Sequence, residues 1–219
     1  GTVRWWDRKT TQFDVAFKNG SRSWISDMVL MESLHEVAVA SVDRVISIYD
    51  TNSQSLVRQY KGKKETKTNA KEVAYWKNSR QGTKTRAEMI VMDNLNSSPM
   101  CLAFFDPLNY VVDSQEKKDK FLFVGTDKGY VQTYDITRSE QNCVKVRKKW
   151  KLHNGWVTKI FVSQQLDSGS FITSSLDGKI KITHLEKNSA PRMLSGHKKG
   201  IYSFDWSSNL KIIASCGSE

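Results

Sequence analysis

Short runs of alternating apolar and polar residues, broken by tight polar turns, fill most of this chain. The segments "ASVDRVISIYD" (40–50), "VGTDKGYVQTYD" (124–135) and "ITSSLDGKIKITHLE" (172–186) share one layout. Each has a short apolar strand, a turn containing Asp or Gly, and a second alternating strand. Period-two alternation puts successive side chains on opposite faces, and Asp-Gly or Lys-Gly between such runs supplies the positive φ angles of a hairpin turn. The pattern therefore predicts β-hairpins. "GTVRWWD" reads as the second half of the same unit, with Val3 and Trp5 on one face and Arg4 and Trp6 on the other. "KIIASCGSE" reads as the first half.

The turn position recurs at Asp43, Lys128, Asp177 and Glu219, at intervals of 85, 49 and 42 residues after a lead-in of 43. Three of these intervals fit the roughly 40–45-residue period of propeller blades, and the long one is a period with about 40 residues added, mainly in 61–97 and 106–119. These segments resemble WD repeats, the units of β-propellers. "SGHKKGIYSFDWSSNLKIIASCGSE" carries Gly196-His197, 22 residues ahead of Glu219, with Ile201, Phe204 and Trp206 at the apolar positions between. His153 opens the preceding repeat, with Val157 and Ile160 at the same offsets. Trp6-Asp7 is a literal Trp-Asp pair, and Tyr49-Asp50 and Tyr134-Asp135 are close to it.

The resemblance covers the chain except about 61–97 and implies an all-β, WD-repeat β-propeller. It implies about four blades of a longer propeller, seven-bladed or double. On this reading 1–20 ends one blade, 21–60 is a blade and 61–97 is a basic insertion. Residues 98–152 and 153–195 are two further blades, and 196–219 begins another. The family's His, Ser/Thr, Asp and Trp form a hydrogen-bonded set that ties a blade's strands together. Carried over, the set is Ser21, Ser41, Asp43 and Tyr49 in the first repeat, then Thr126 and Tyr134, with Lys128 in the Asp place. The third repeat has His153, Ser175 and Asp177, with Thr183 for Trp. The last keeps His197, with Glu219 for Asp, and Trp6 ends the opening strand. These are read as structural residues, because a buried imidazole or carboxylate is costly unless every partner is present.

Composition adds bounds. A hydrophobic fraction of 38% with 11% aromatics suffices for a real core. Apolar stretches reach about six residues, short of the roughly 20 that span a bilayer, so no membrane is expected. Cys101, Cys143 and Cys216 are widely spaced without a CxxC pair, which points to a reducing, intracellular setting and against a disulfide framework or zinc site. There is no GxSxG, HExxH, GxGxxG or GxxxxGK[ST] motif, so neither catalysis nor a cofactor nor a metal is expected. His35 and His184 read as surface residues, and Glu116 and Asp119 as polar-loop carboxylates.

Charge changes the picture most. The net charge is +11, and 61–86 alone holds Lys61, Lys63, Lys64, Lys67, Lys71, Lys77, Arg80, Lys84 and Arg86 against Glu65 and Glu72. With Tyr75 and Trp76 this segment reads as a solvated loop, a docking surface for acidic proteins, or a phosphate-binding loop. "KVRKKWK" (145–151) alternates and is expected as a solvated or edge-protecting outer strand. A narrower resemblance rests on "HNGWVTKIFV", "GIYSFDWSSNLKIIASCG" and "LNSSPMCLAFFD". These resemble the cilia-associated WD-repeat proteins that often carry EF-hands, although no twelve-residue calcium loop occurs here. The expected function is a non-catalytic protein-interaction scaffold, cytoplasmic or cytoskeletal, with a ciliary assembly implied by the narrower resemblance. The alternative is a nucleic-acid-associated propeller using the 61–86 loop.

Overall fold

A computed structural model of the chain describes residues 1–18, 23–62, 74–77, 84–107, 120–137, 143–162, 169–187 and 189–219; for 13–18, 74–77 and 84–88 it describes the backbone alone. The chain divides into two compact units, Gly1–Pro99 with Glu140–Lys145, and Met100–Ser139 with Val146–Glu219.

In the first unit, β1 (Thr2–Trp6) and β2 (Phe13–Lys18) form an antiparallel hairpin. An antiparallel meander follows: β3 (Ile25–Met31), a 3₁₀ turn at Glu32–Leu34, β4 (Glu36–Ser41), β5 (Val45–Asp50) and β6 (Ser55–Gly62). The alternation that predicts these strands also sets their faces. Val37, Val39, Tyr49 and Leu56 pack with Val3 and Trp5.

The basic segment is not loop throughout, contrary to its sequence reading. It contains β7 (Ala74–Lys77) and β8 (Lys84–Met92), paired antiparallel from Ala74↔Ala87 to Lys77↔Lys84. β8 also adds in parallel to the far edge of β6, from Arg58↔Glu88 to Gly62↔Met92, and buries Ile90 and Met92. The two-residue β12 (Cys143–Val144) lies parallel on its other side. The apolar alternation at the end of β8 explains why it docks: a half-buried edge accepts one more strand whose inner face is oily.

In the second unit, β9 (Pro99–Phe105), β10 (Phe121–Thr126), β11 (Tyr130–Asp135) and β13 (Val146–Lys151) make one four-stranded sheet. A second four-stranded sheet comprises β14 (Val157–Val162), β15 (Ser170–Ser175), β16 (Lys179–His184) and β17 (Arg192–Ser195). β18 (Ile201–Ser207) and β19 (Ile212–Gly217) form a hairpin. Phe123, Val131 and Trp150 of the first sheet interlock with Val157, Ile160 and Phe171 of the second. Ile172 and Ile180 then pack on Ile201 and Phe204 of the hairpin. All six residues of β15 are buried, because sheets cover both its faces. Each fully buried Phe contributes about 1.5–3 kcal/mol. Among the described residues no helix is long and apolar enough to cross a membrane.

Candidate functional site

Three hydrogen-bonding stations recur from repeat to repeat. The first braces the turn between the second and third strands. Ser41 Oγ donates to the Val45 carbonyl at 3.1 Å. Thr126 Oγ1 accepts from the Tyr130 N–H at 3.1 Å, and Ser175 Oγ accepts from the Asp177 N–H at 3.1 Å. The three hydroxyls chosen from sequence are thus equivalent, but they serve the turn. Gly129 closes the second turn with φ +74°, and a β-carbon there would lie 2.0 Å from the His153 carbonyl oxygen.

The second station is the His-centred set. His153 Nδ1 lies 3.1 Å from Asp177 Oδ2, and Nε2 lies 2.8 Å from Thr173 Oγ1. The hydroxyl that meets the ring is therefore Thr173, not Ser175; both share a face of β15, and Thr173 is one step further into the blade. The adjacent carboxylate fixes the Nδ1–H tautomer, so Nε2 accepts from Thr173. Burial lowers the His153 pKa despite Asp177, which favours the neutral ring. Burial would raise Asp177, but the Asn154 N–H and His153 outweigh it and hold the carboxyl below its ordinary range. The last repeat repeats the arrangement, with His197 Nδ1 3.2 Å from Glu219 Oε1 and Nε2 3.0 Å from Ser215 Oγ. Thr173 and Ser215 each stand four residues before the turn carboxylate. At that place the other two repeats have Val39 and Val124, both fully buried, and neither repeat has a His at the place of His153 and His197. Asp43 is exposed at its turn and makes no side-chain hydrogen bond among the described residues. Ser21 lies outside the described residues.

At the Trp position, Tyr49 and Tyr134 are fully buried. Each finds a partner two residues earlier on its own strand, Ser47 for Tyr49 and Gln132 Oε1 at 3.3 Å for Tyr134. Burial pushes the Tyr49 hydroxyl up to about 12. Thr183 is buried at the third such position, with its hydroxyl unpartnered among the described residues. Trp6 is 60% exposed, on the opposite face of β1 from Val3 and Trp5, and closes no buried set.

The third station caps the turn after the third strand. Asp7 Oδ1 accepts from the Lys9 N–H at 2.6 Å, Asp50 Oδ1 from Ser53 at 2.6 Å, and Asp135 Oδ1 from Thr137 at 3.0 Å. The Ser53 N–H holds Asp50 below the usual carboxylate range. His184 Nδ1 does the same work, accepting from Glu186 and Lys187 at 3.1 Å. A short acceptor two or three residues ahead of a free N–H is what such a turn needs, and an imidazole nitrogen meets that need as a carboxylate does.

The order carboxylate–imidazole–hydroxyl around His153 copies a hydrolytic triad. Its exposure does not: His153 and Thr173 are buried, so a substrate carbonyl cannot reach the hydroxyl. The set is a strand tie.

Among the large apolar side chains presented to solvent, two aromatic ones stand at equivalent places. The residue before the first strand accepts an N–H from the turn: Trp24 from Val42 at 3.1 Å, Trp156 from Leu176 at 3.0 Å, Gly200 from Ser218 at 3.0 Å. At two of these equivalent places the side chain is an exposed tryptophan, Trp24 at 77% and Trp156 at 47%. Sequence reading missed both, although their place before each first strand was visible. Of the basic segment, Lys61 sits at the end of β6, Tyr75, Trp76 and Lys77 on β7, and Lys84 and Arg86 on β8. The others (Lys63, Lys64, Lys67, Lys71 and Arg80) lie outside the described residues. Among the described residues no three His, Cys, Asp or Glu side chains gather as a metal-binding group.

Comparison with solved structures places these sheets. A chain in the crystal structure of the mitotic checkpoint complex is similar over 100% of this chain, with a TM-score of 0.63 and 14% identity. The fold is a β-propeller. The chain spans 53% of the length of that solved chain. No family model matches, and no curated protein matches. In all, 1074 solved chains are similar to this one, and the likeness carries the fold alone.

Proposed function

We infer that this chain is a non-catalytic protein-interaction scaffold of WD-repeat type. One observation carries the reading: Trp24 and Trp156 stand exposed at the same place in two repeats, each anchored by a backbone clip to the turn. Exposed tryptophan costs solubility, and Trp is the residue type most enriched among binding hot spots. A rigid blade holds it in place, so little ordering is left to do on binding. The solved chain it resembles comes from a multiprotein complex, which is consistent with protein partners.

Partners with acidic surfaces suit the basic 61–86 segment, whose Tyr75↔Arg86 and Lys77↔Lys84 pairs place charge on a hairpin. The ciliary assignment rests on the three quoted sequence segments, and localisation of the tagged protein in ciliated cells tests it. The docking reading is tested by affinity capture with the full chain and with Trp24→Ala and Trp156→Ala. Truncating a hot-spot Trp costs about 2 kcal/mol or more, a roughly thirtyfold loss of partner affinity without loss of folding. Unchanged capture by both variants refutes it. The nucleic-acid reading makes the opposite demand: RNA or DNA binding with a steep salt slope that disappears when 61–86 is deleted.

A further inference from the structure

The outer strand of the first sheet in the second unit combines two features that the docking reading leaves unused. β13 is the terminal strand of its sheet, so one row of its backbone N–H and C=O groups has no strand partner among the described residues. Its sequence, with the flanking Cys143–Lys145, contains five cations and no carboxylate. Lysines on an edge ordinarily repel stray strands. Here they are also ordered. Lys149 Nζ and Lys151 Nζ lie 4.6 and 4.8 Å from the Tyr130 ring, and Lys151 Nζ also donates to the Lys128 carbonyl.

A register shift between Thr133 and Tyr134 leaves Arg147 as the extra residue of a bulge. Its guanidinium sits 4.6 Å from the Phe121 ring, on the opposite face of the sheet from Tyr130. Lys148 Nζ donates to the Leu185 carbonyl. Cations therefore flank the open edge on both faces. Neither Lys149 nor Lys151 makes an ion pair among the described residues.

We propose that the open edge of β13 is a docking site for an extended acidic peptide segment, which adds as a fifth strand with Asp or Glu side chains beside Lys149, Lys151 and Arg147. This deepens the docking reading and rests on it. An edge that repels neutral or basic strands selects an acidic one by the same charges. Cross-strand neighbours sit about 4.5–5.5 Å apart, within reach of a lysine–carboxylate pair. Nucleic acid is disfavoured on two counts. It cannot pair with backbone N–H and C=O groups as an added strand does, and the rings of Tyr130 and Phe121 are covered by cations rather than open to stacking bases.

The test uses the full chain and a labelled peptide of about eight residues alternating Glu and Thr. Its form N-methylated at alternate residues and an oligothymidylate of similar charge serve as comparisons. The proposal expects the Glu peptide to bind, with amide shifts centred on Val146–Lys151. It expects a loss of about tenfold or more in K149Q/K151Q, and a similar loss on N-methylation, which removes strand pairing but not charge. The proposal is overturned by any of three results: no binding, peptide binding indifferent to both changes, or tighter oligothymidylate binding through the same residues. Capture of partners through Trp24 and Trp156 is measured in parallel. Partners captured through those tryptophans in K149Q/K151Q, with no peptide binding by the unaltered chain, reject the edge site alone; no captured partner at all rejects the docking reading.

Discussion

Replacing Thr173 by Val tests whether the His153 set behaves as one unit. The change is nearly isosteric and removes the hydroxyl 2.8 Å from His153 Nε2, leaving that buried acceptor without a partner. An orphaned buried acceptor costs about 1–3 kcal/mol. His153→Leu takes one partner from the Thr173 hydroxyl, which keeps the Lys181 carbonyl at 3.4 Å, while Asp177 keeps the Asn154 and Lys179 N–H groups. Its cost is about 2 kcal/mol. Both changes remove the same hydrogen bond, so the double variant should lose less than the sum, by about 1 kcal/mol. The chain's own repeats argue for this, because Val39 and Val124 stand where the His is also absent. Amide exchange in β15 and β16 under increasing urea reads the local cost directly. Additivity within about 0.3 kcal/mol would refute the idea of a coupled set.

Gly129→Ala forces a β-carbon to 2.0 Å from a backbone oxygen at φ +74°, and should cost at least about 2 kcal/mol; an unchanged thermal melt contradicts this. His153 has a lowered pKa in the folded state, so its contribution is intact above the unfolded value near 6.5 and is lost as pH falls below it. The slope is at most about 1.4 kcal/mol per pH unit, and urea titrations from pH 7.5 to 5 should lose that component in His153→Leu. Tyr49 ionises at about 12 when folded and near its ordinary value of 10.0 when unfolded. Stability should therefore hold below pH 10 and decline between 10 and 12, and Tyr49→Phe should remove that decline. A decline unchanged in the variant would place its cause elsewhere.

Hairpins and their period are legible because the second strand of each repeat is covered on both faces. Apart from Glu36 at its start, "EVAVAS", with "FLFVGT" and "SFITSS", is apolar or small throughout for that reason. Thr173 and Ser175 are two apart on one strand, so they share a face, and alternation cannot say which reaches the ring. β8 escaped notice because its basic start reads as solvated loop and its partner β6 pairs in parallel across a long connection. Trp24 and Trp156 were hidden by the ordinary expectation that tryptophan belongs in a core.

The central claim, that the blades hold surfaces for protein partners, is met most directly by crosslinking mass spectrometry on the full chain captured from its native cells. The account predicts inter-protein crosslinks at the lysines of β13, and fewer inter-protein crosslinks overall in Trp24→Ala and Trp156→Ala. Crosslinks confined to this chain itself, with nucleic acid as the sole co-purifying macromolecule, would contradict it.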